Sequence, residues 1–207
     1  MKCAETRCRE IMSDRVALID PNLLINAYCQ GIFPMGLENG QLSWFSPDPR
    51  GVLPVQHFNV PRSVRAELRR SEFEIRVNTA FRETIRACGK REETWITREI
   101  MHSYEALHAL GYAHSVEAWK NKKLLGGLYG VSIGGAFFGE SMFSKVAGGS
   151  KAALVWLMEH LKARGFTLHD TQWTTAHLGM FGGNEIPRNL YMKQLASAIR
   201  LPVRFAG

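Results

Sequence analysis

Two short stretches of this chain concentrate side chains able to do chemistry. Gly139-Glu-Ser-Met-Phe-Ser144 sets a carboxylate among small and apolar residues. Further along, Asp170-Thr-Gln172 puts an acid and an amide into a segment otherwise patterned as a buried strand. An acid or amide in such surroundings costs free energy unless it is paired or used. A carboxylate can accept a proton or hold an ammonium group. A neutral amide is a poor proton acceptor and is better suited to orienting an amine or a carbonyl by hydrogen bonds. Strand positions two apart share a face, which places Asp170 with Gln172 and Glu140 with Met142. If the two strands are neighbours, Glu140, Asp170 and Gln172 line one cleft with Met142 and aromatics as its walls. The same polar groups would serve equally well to tie strand ends to loops, and spacing alone leaves both roles open.

Other motifs narrow the chemistry. Gly148-Gly-Ser-Lys151 opens a helical pattern and resembles a phosphate cradle, since a helix N-terminus presents free N–H groups. It lacks the GxxxxGK[ST] spacing of an ATP loop, and a simple flexible N-cap fits it as well. There is no Cys–His pair and no G-x-G-x-x-G opening a helix after a strand. His114, His169 and His177 fall on different elements without ligand spacing and read as structural or hydrogen-bonding residues. Cys3, Cys8, Cys29 and Cys88 form no CxxC pair, which suggests free thiols in a reducing cytoplasm and no metal site. No apolar run is long enough for a membrane span, and the charged N-terminus does not read as a signal peptide.

The 207 residues suit one large domain, or one domain with a smaller attachment. Twenty-six Lys and Arg against 19 Asp and Glu leave a net charge of +7, which favours an anionic partner. Arg62, Arg65 and Arg69 fall on one side of a short helix predicted over 61–70, with Arg70 beside them and Val64 and Leu68 opposite. Such a stripe points to solvent or to a phosphate backbone.

The first dozen residues are polar and read as frayed. Asp20-Pro21 is a helix start, with Asp as N-cap and Pro at the first helical position; Leu24, Ala27 and Tyr28 share its inner face. From 31 to 60 the Gly-, Pro- and aromatic-rich chain reads as irregular. Helices are expected at Phe81–Cys88 and 97–110, the latter with Ile100, Tyr104 and Leu107 inward. Strands are expected at 114–119, 124–131, 136–143 and 166–173, the first two joined by a hairpin turn at Asn121. An amphipathic helix spans 150–164, with Leu154, Leu157, Met158 and Leu161 on one face, and another lies near 190–199. Helices, then a meander, then a strand–helix–strand crossover argue for an α/β (α+β) domain with a mixed sheet. A small N-terminal domain over 1–57 and a main domain over 58–207 are expected.

In order along the chain, several motifs resemble the leucyl/phenylalanyl-tRNA–protein transferases. They are the Asp20–Tyr28 helix, Gly31-Ile-Phe-Pro34, Trp44-Phe-Ser-Pro-Asp-Pro-Arg50 and Arg62-Ser63. Thr94-Trp-Ile-Thr97, His114-Ser-Val-Glu117 with Trp119, Gly126-Gly-Leu-Tyr-Gly130 and Gly139-Glu-Ser-Met-Phe-Ser144 continue the match. Ser150-Lys151, Asp170-Thr-Gln172 and Glu185-Ile-Pro-Arg188 complete it. The resemblance covers nearly all of residues 18 to 193. It implies an acyl-CoA N-acyltransferase fold in the C-terminal domain. It also implies transfer of Leu or Phe, less often Met, from aminoacyl-tRNA to the α-amine of proteins beginning with Arg or Lys. That transfer marks them for degradation by the N-degron route, in the cytoplasm, without ATP, metal or other cofactor, and by a monomer.

Carried over by motif, Glu140, Asp170 and Gln172 form the catalytic group. Phe45, Trp95, Leu128, Phe137, Met142 and Leu157 build the aminoacyl side-chain pocket, and Arg62, Arg65, Arg69 and Arg70 bind tRNA. One proposal for such enzymes has the residue matching Gln172, assisted by Asp170, take a proton from the attacking amine. Orientation of the amine and stabilisation of the tetrahedral intermediate suit an amide better, with the terminal adenosine's hydroxyl relaying the proton. The chain departs from the pattern at Phe45 (usually Trp), Thr171 (usually Cys), Phe181-Gly-Gly-Asn184, and Met1–Val16, which replaces the usual lead-in. Two other functions fit the bare residues: an acyl-CoA-dependent acyltransferase, and a non-catalytic RNA-binding protein.

Overall fold

The computed structural model describes residues 18–91 and 94–206; Met1–Val16, with Cys3 and Cys8, lie outside them. The first element is α1 (Pro21–Cys29), started by Asp20, whose Oδ1 accepts the Asn22 N–H at 2.8 Å. Leu24, Ala27 and Tyr28 are its buried residues, as the spacing predicts.

The 31–60 stretch is more ordered than its composition suggests. β1 (Phe33–Gly36) and β2 (Leu42–Phe45) pair as a small separate sheet, and β3 (Arg50–Val52) joins the main one. Strands of three or four residues are too short to show a period-two pattern, so pairing partners elsewhere in the fold decide them. α2 (Arg62–Ser71), α3 (Phe81–Cys88) and α4 (Arg98–Ala109) lie where predicted. Between α2 and α3 the chain adds an unpredicted edge strand, β4 (Glu74–Val77), whose Ile75 and Val77 pack inward.

The predicted meander follows as β5 (Ala113–Lys120), β6 (Lys123–Ile133) and β7 (Ala136–Ser144). Asn121 and Lys122, both at positive φ (51° and 60°), make the two-residue turn between β5 and β6. The crossover helix α5 (Gly149–Arg164) then leads to β8 (Leu168–Gln172). The short α6 (Ala176–Gly179), the three-residue β9 (Asn184–Ile186) and α7 (Arg188–Ala198) complete the described elements. The seven-stranded sheet runs β4-β5-β6-β7-β8-β3-β9, antiparallel except for the β7–β8 pair. It is the mixed α/β sheet that the crossover predicts.

Each face of the sheet has its own core. One is filled from α1, α3, α4 and α7 by Leu24, Tyr28, Ile85, Tyr104, Tyr191 and Leu195, meeting Tyr129 and Phe138 of the strands. The other is filled from α5 by Leu154, Leu157, Met158 and Leu161, against Leu128 and Phe137.

Three local features position the site. Strands β7 and β8 pair only from Ala136↔Leu168 to Phe138↔Asp170, and beyond that point both continue without partnering each other. On β7, Gly130 pairs with Gly139 and Tyr129 with Ser141, so Glu140 is the extra residue of a bulge. On β8, Gly51 pairs with Gln172 and Val52 with Asp170, so Thr171 is a second extra residue, and Gln172 has φ +62°. Bulges break the alternation of faces and re-aim side chains. Simple alternation therefore fails at Glu140. Met142 packs with the α5-side core while Glu140 points to the other, where the Gln172 amide reaches it.

Candidate active site

Where β7 and β8 part, a cavity of about 870 Å³ opens, in the size range of small-molecule sites. Of the predicted pocket residues, Trp95, Leu128, Met142 and Leu157 line it. Phe45 and Phe137 do not. Phe137 is fully buried beneath the floor, its ring 5.6 Å from that of His169 and 5.3 Å from that of Phe205. Phe45 stands one layer out, packed 6.3 Å from the Phe33 ring and 6.5 Å from the Trp173 ring. Phe33, Met35 and Trp173 line the wall instead. Their signal was present in the sequence, since Phe33 lies within the Gly31-Ile-Phe-Pro34 motif and the apolar Met35 and Trp173 directly follow motif residues.

Glu140 is the only carboxylate on the cavity wall among the described residues, and it is nearly buried. Tyr28 donates its hydroxyl to Oε1 at 2.7 Å, Gln172 donates Nε2–H to the same oxygen at 2.9 Å, and Tyr104 donates to Oε2 at 3.2 Å. The two tyrosine hydroxyls also touch each other. Burial pushes the Glu140 carboxyl up to about 7, against the Tyr28 and Tyr104 hydroxyls, which favour its charged form. A carboxyl near neutrality can both take up and release a proton at working pH.

Asp170 is fully buried and is not part of the cavity wall. Arg50 grips it bidentately, Nε to Oδ1 at 2.9 Å and NH2 to Oδ2 at 2.7 Å. Tyr191 donates to Oδ2 at 2.6 Å, and the Gln172 backbone N–H donates to Oδ1 at 2.8 Å. The Arg50 guanidinium is held in turn between the Phe33 and Tyr191 rings, 4.9 and 4.6 Å from their centroids, and donates to Gly31 O at 3.0 Å. Such closely spaced charge-assisted bonds fix geometry rather than leave a group reactive. The Asp170 cluster therefore holds the Gln172 backbone in its left-handed conformation, and that conformation delivers the amide to Glu140.

Tyr28, Tyr104, Arg50 and Tyr191 are thus part of the site's architecture, and sequence patterns alone do not assign them there. The inward faces of both helices were legible; the target of each hydroxyl was not, because it lies on strands far along the chain. Tyr129, also fully buried and on the cavity wall, has a hydroxyl without a hydrogen-bond partner among the described residues.

Two peripheral features complete the picture. Arg62, Arg65, Arg69 and Arg70 all lie exposed on α2 and form no salt bridge among the described residues. The start of α5 is partly satisfied internally: Ser144 Oγ accepts the Ser150 N–H at 3.1 Å, and Lys151 pairs with Glu67 at 2.8 Å. His169, with burial pushing it down to about 4, is neutral and sets Nδ1 against the Met158 sulfur. Among the described residues no group of His, Cys, Asp and Glu is placed to hold a metal, and no helix is long and apolar enough to cross a membrane.

Comparison with known proteins bears on the whole chain. Residues 52–196 match the profile described as leucyl/phenylalanyl-tRNA protein transferase, and residues 18–48 match the profile of its N-terminal domain. The chain belongs to this family. The leucyl/phenylalanyl-tRNA–protein transferase of Herpetosiphon aurantiacus is 52% identical over 188 residues, 90% of this chain and 98% of the relative. That of Salinibacter ruber is 49% identical, covering 87% and 80%, and that of Gloeobacter violaceus 47%, covering 90% and 97%. A solved structure, L-PGS from Bacillus licheniformis, superposes on 86% of this chain and 70% of that one at TM-score 0.48 and 11% identity, too remote a likeness to bear on function. As a leucyl/phenylalanyl-tRNA–protein transferase family member, the chain is an aminoacyltransferase. The family profile's two parts meet at β3, the strand that carries Arg50 at its start.

Proposed function

We propose that the chain moves Leu or Phe, and less readily Met, from aminoacyl-tRNA to the N-terminal amine of proteins that begin with Arg or Lys. The observation that carries this is one cavity whose apolar wall (Trp95, Leu128, Met142, Leu157) faces a polar pair, Glu140 and Gln172. An aminoacyl ester is already activated, so the task left to the protein is to seat the side chain, admit an amine and manage one proton. Burial of a Leu or Phe side chain is worth about 1.5–3 kcal/mol, which favours them over small residues. It separates Leu from Met only weakly. Phe45 and Phe137 support this wall from behind.

In this assignment Gln172 uses its amide oxygen to orient the incoming amine, and Asp170, locked to Arg50, sets the Gln172 rotamer. The exposed Arg62, Arg65, Arg69 and Arg70 take the tRNA backbone, as an unpaired cationic stripe suits. Residues 1–57 act as a small N-terminal domain that lends Tyr28 and Arg50 to the catalytic domain over 58–207. The product enters an N-degron route in the cytoplasm, and the enzyme works as a monomer.

Incubation with Phe-, Leu- and Met-tRNA, each with peptides starting in Arg, Lys, Asp or Ala, tests the assignment directly. Labelled product should form with Arg and Lys peptides alone, in greater amount from Leu and Phe than from Met. Product from coenzyme A thioesters but not from aminoacyl-tRNA would overturn it.

A further inference from the structure

The attacking amine must shed a proton, and the cavity restricts where it can go. Asp170 is not available: each of its oxygens already accepts two hydrogen bonds, and it lies off the cavity wall. Gln172 gives an amide hydrogen to Glu140, which leaves its oxygen facing as an acceptor of hydrogen bonds, not of protons. His169 is neutral but has Nδ1 engaged with Met158 and is buried on the α5 side. Glu140 remains. Its Oε1 accepts two hydrogen bonds and its Oε2 one, at 3.2 Å, so Oε2 keeps an open lone pair.

We infer that Glu140 is the proton acceptor of the transfer, and that Tyr28 and Tyr104 are positioning residues that hold its carboxylate and set its basicity. This rests on the aminoacyl-transfer function proposed above. The neutral amine nitrogen attacks the ester carbonyl carbon, the C–N bond forms and the carbonyl electrons move to oxygen. The nitrogen's proton passes to Glu140. When the intermediate collapses, the bond from carbon to the ribose oxygen breaks, and Glu140 returns the proton to that oxygen. The products are an amide and a free ribose hydroxyl, with the carboxylate restored, so atoms and charge balance without a further reagent.

The groups around Glu140 make its protonation adjustable. α1 and α4 offer the two tyrosine hydroxyls, and β6 offers Tyr129. β8 brings Asp170, whose charge disfavours ionisation of Glu140, and β3 brings Arg50, whose charge favours it. From α3, Cys88 approaches Tyr129 and, pushed up to about 12 by burial, is an uncharged thiol. The hydroxyls of Tyr28 and Tyr104 are the groups that can be deleted without removing a charge.

The test is the pH profile of the single-turnover rate, with Phe-tRNA and an Arg-initiated peptide both saturating, in wild type, Glu140→Gln, Tyr28→Phe and Tyr104→Phe. Glu140→Gln should be slowed by about 100-fold or more while filter-bound Phe-tRNA is held as tightly as by wild type. Loss of a tyrosine hydroxyl removes a bond that favours the carboxylate, so the rising limb should move to higher pH by about half a unit or more, with the rate recovered on the alkaline side. The acceptor amine's own ionisation cannot produce that shift, since it is the same peptide throughout. A Glu140→Gln enzyme within about tenfold of wild type, or tyrosine variants slowed equally at every pH with the limb unmoved, would overturn the inference. Absence of any product from the wild type would instead overturn the transfer function beneath it.

Discussion

Replacing Arg50 by Met should be among the most damaging single changes in this chain. The guanidinium is 1% exposed and makes two hydrogen bonds to Asp170, one to Gly31 O, and contacts with two ring faces. Met keeps an apolar stem of similar reach but leaves Asp170, at 0% exposure, with only Tyr191 and the Gln172 N–H. Breaking a buried pair from one side costs about 3–5 kcal/mol, because the remaining charge has neither water nor partner. For a chain of this size that corresponds to a fall in Tm of about 6–20 °C. Asp170→Asn should cost a comparable amount. The double variant should cost less than the two singles added, by about 2 kcal/mol, since the second change removes the stranded charge left by the first. Urea denaturation of the four proteins gives the cycle. Arg50→Met within about 1 kcal/mol of wild type, or simple additivity, would refute the claim that this pair anchors the strand carrying Gln172.

Other perturbations test separate parts. Glu140 holds its proton up to about 7 in the folded chain and to 4.5 ordinarily. Between these pH values the folded state therefore binds more protons, and stability should fall by about 3 kcal/mol as pH rises through that window. Urea midpoints for Glu140→Gln should lack this slope, and parallel pH curves would contradict the burial argument. Gly126→Ala would bring a Cβ within 2.4 Å of the Gly149 backbone, where β6 meets the start of α5. A loss of about 1–3 kcal/mol is expected by thermal denaturation, and a neutral effect would mean that this approach is looser than described. Arg65→Ala with Arg69→Ala should weaken tRNA binding and reduce the salt slope by about 0.9 for each phosphate no longer neutralised; an unchanged slope would remove α2 from the interface. Leu128→Ala should reduce transfer of Leu and Phe more than that of smaller donors, read as the ratio of kcat/KM values.

The sequence was most legible where local patterns are long. The apolar spacing of α5, the Asp20 cap of α1 and the two-residue turn at Asn121 each rest on residues close in the chain, and each is present. The chemistry-bearing residues were also legible, because a carboxylate or amide in a buried strand is costly and therefore visible. What escaped was non-local. β1, β2, β3 and β9 are too short to carry a period, although the Ile75–Val77 alternation of β4 did carry one. The bulges at Glu140 and Thr171 depend on partners in other strands, so simple alternation put Glu140 beside Met142. Arg50 reads as a loop residue after two prolines until its carboxylate, 120 positions away, is brought alongside.

The insertion of β3 between β8 and β9 bears on exchange between relatives. The leading segment is woven into the sheet rather than appended to it, so it cannot be swapped like a cassette. A chimera joined anywhere before Arg50 keeps the strand and its clasp from one parent, whereas a junction after Val52 mates one parent's arginine with the other's aspartate. Exchange between relatives must therefore carry that rung and its counterpart across as a unit.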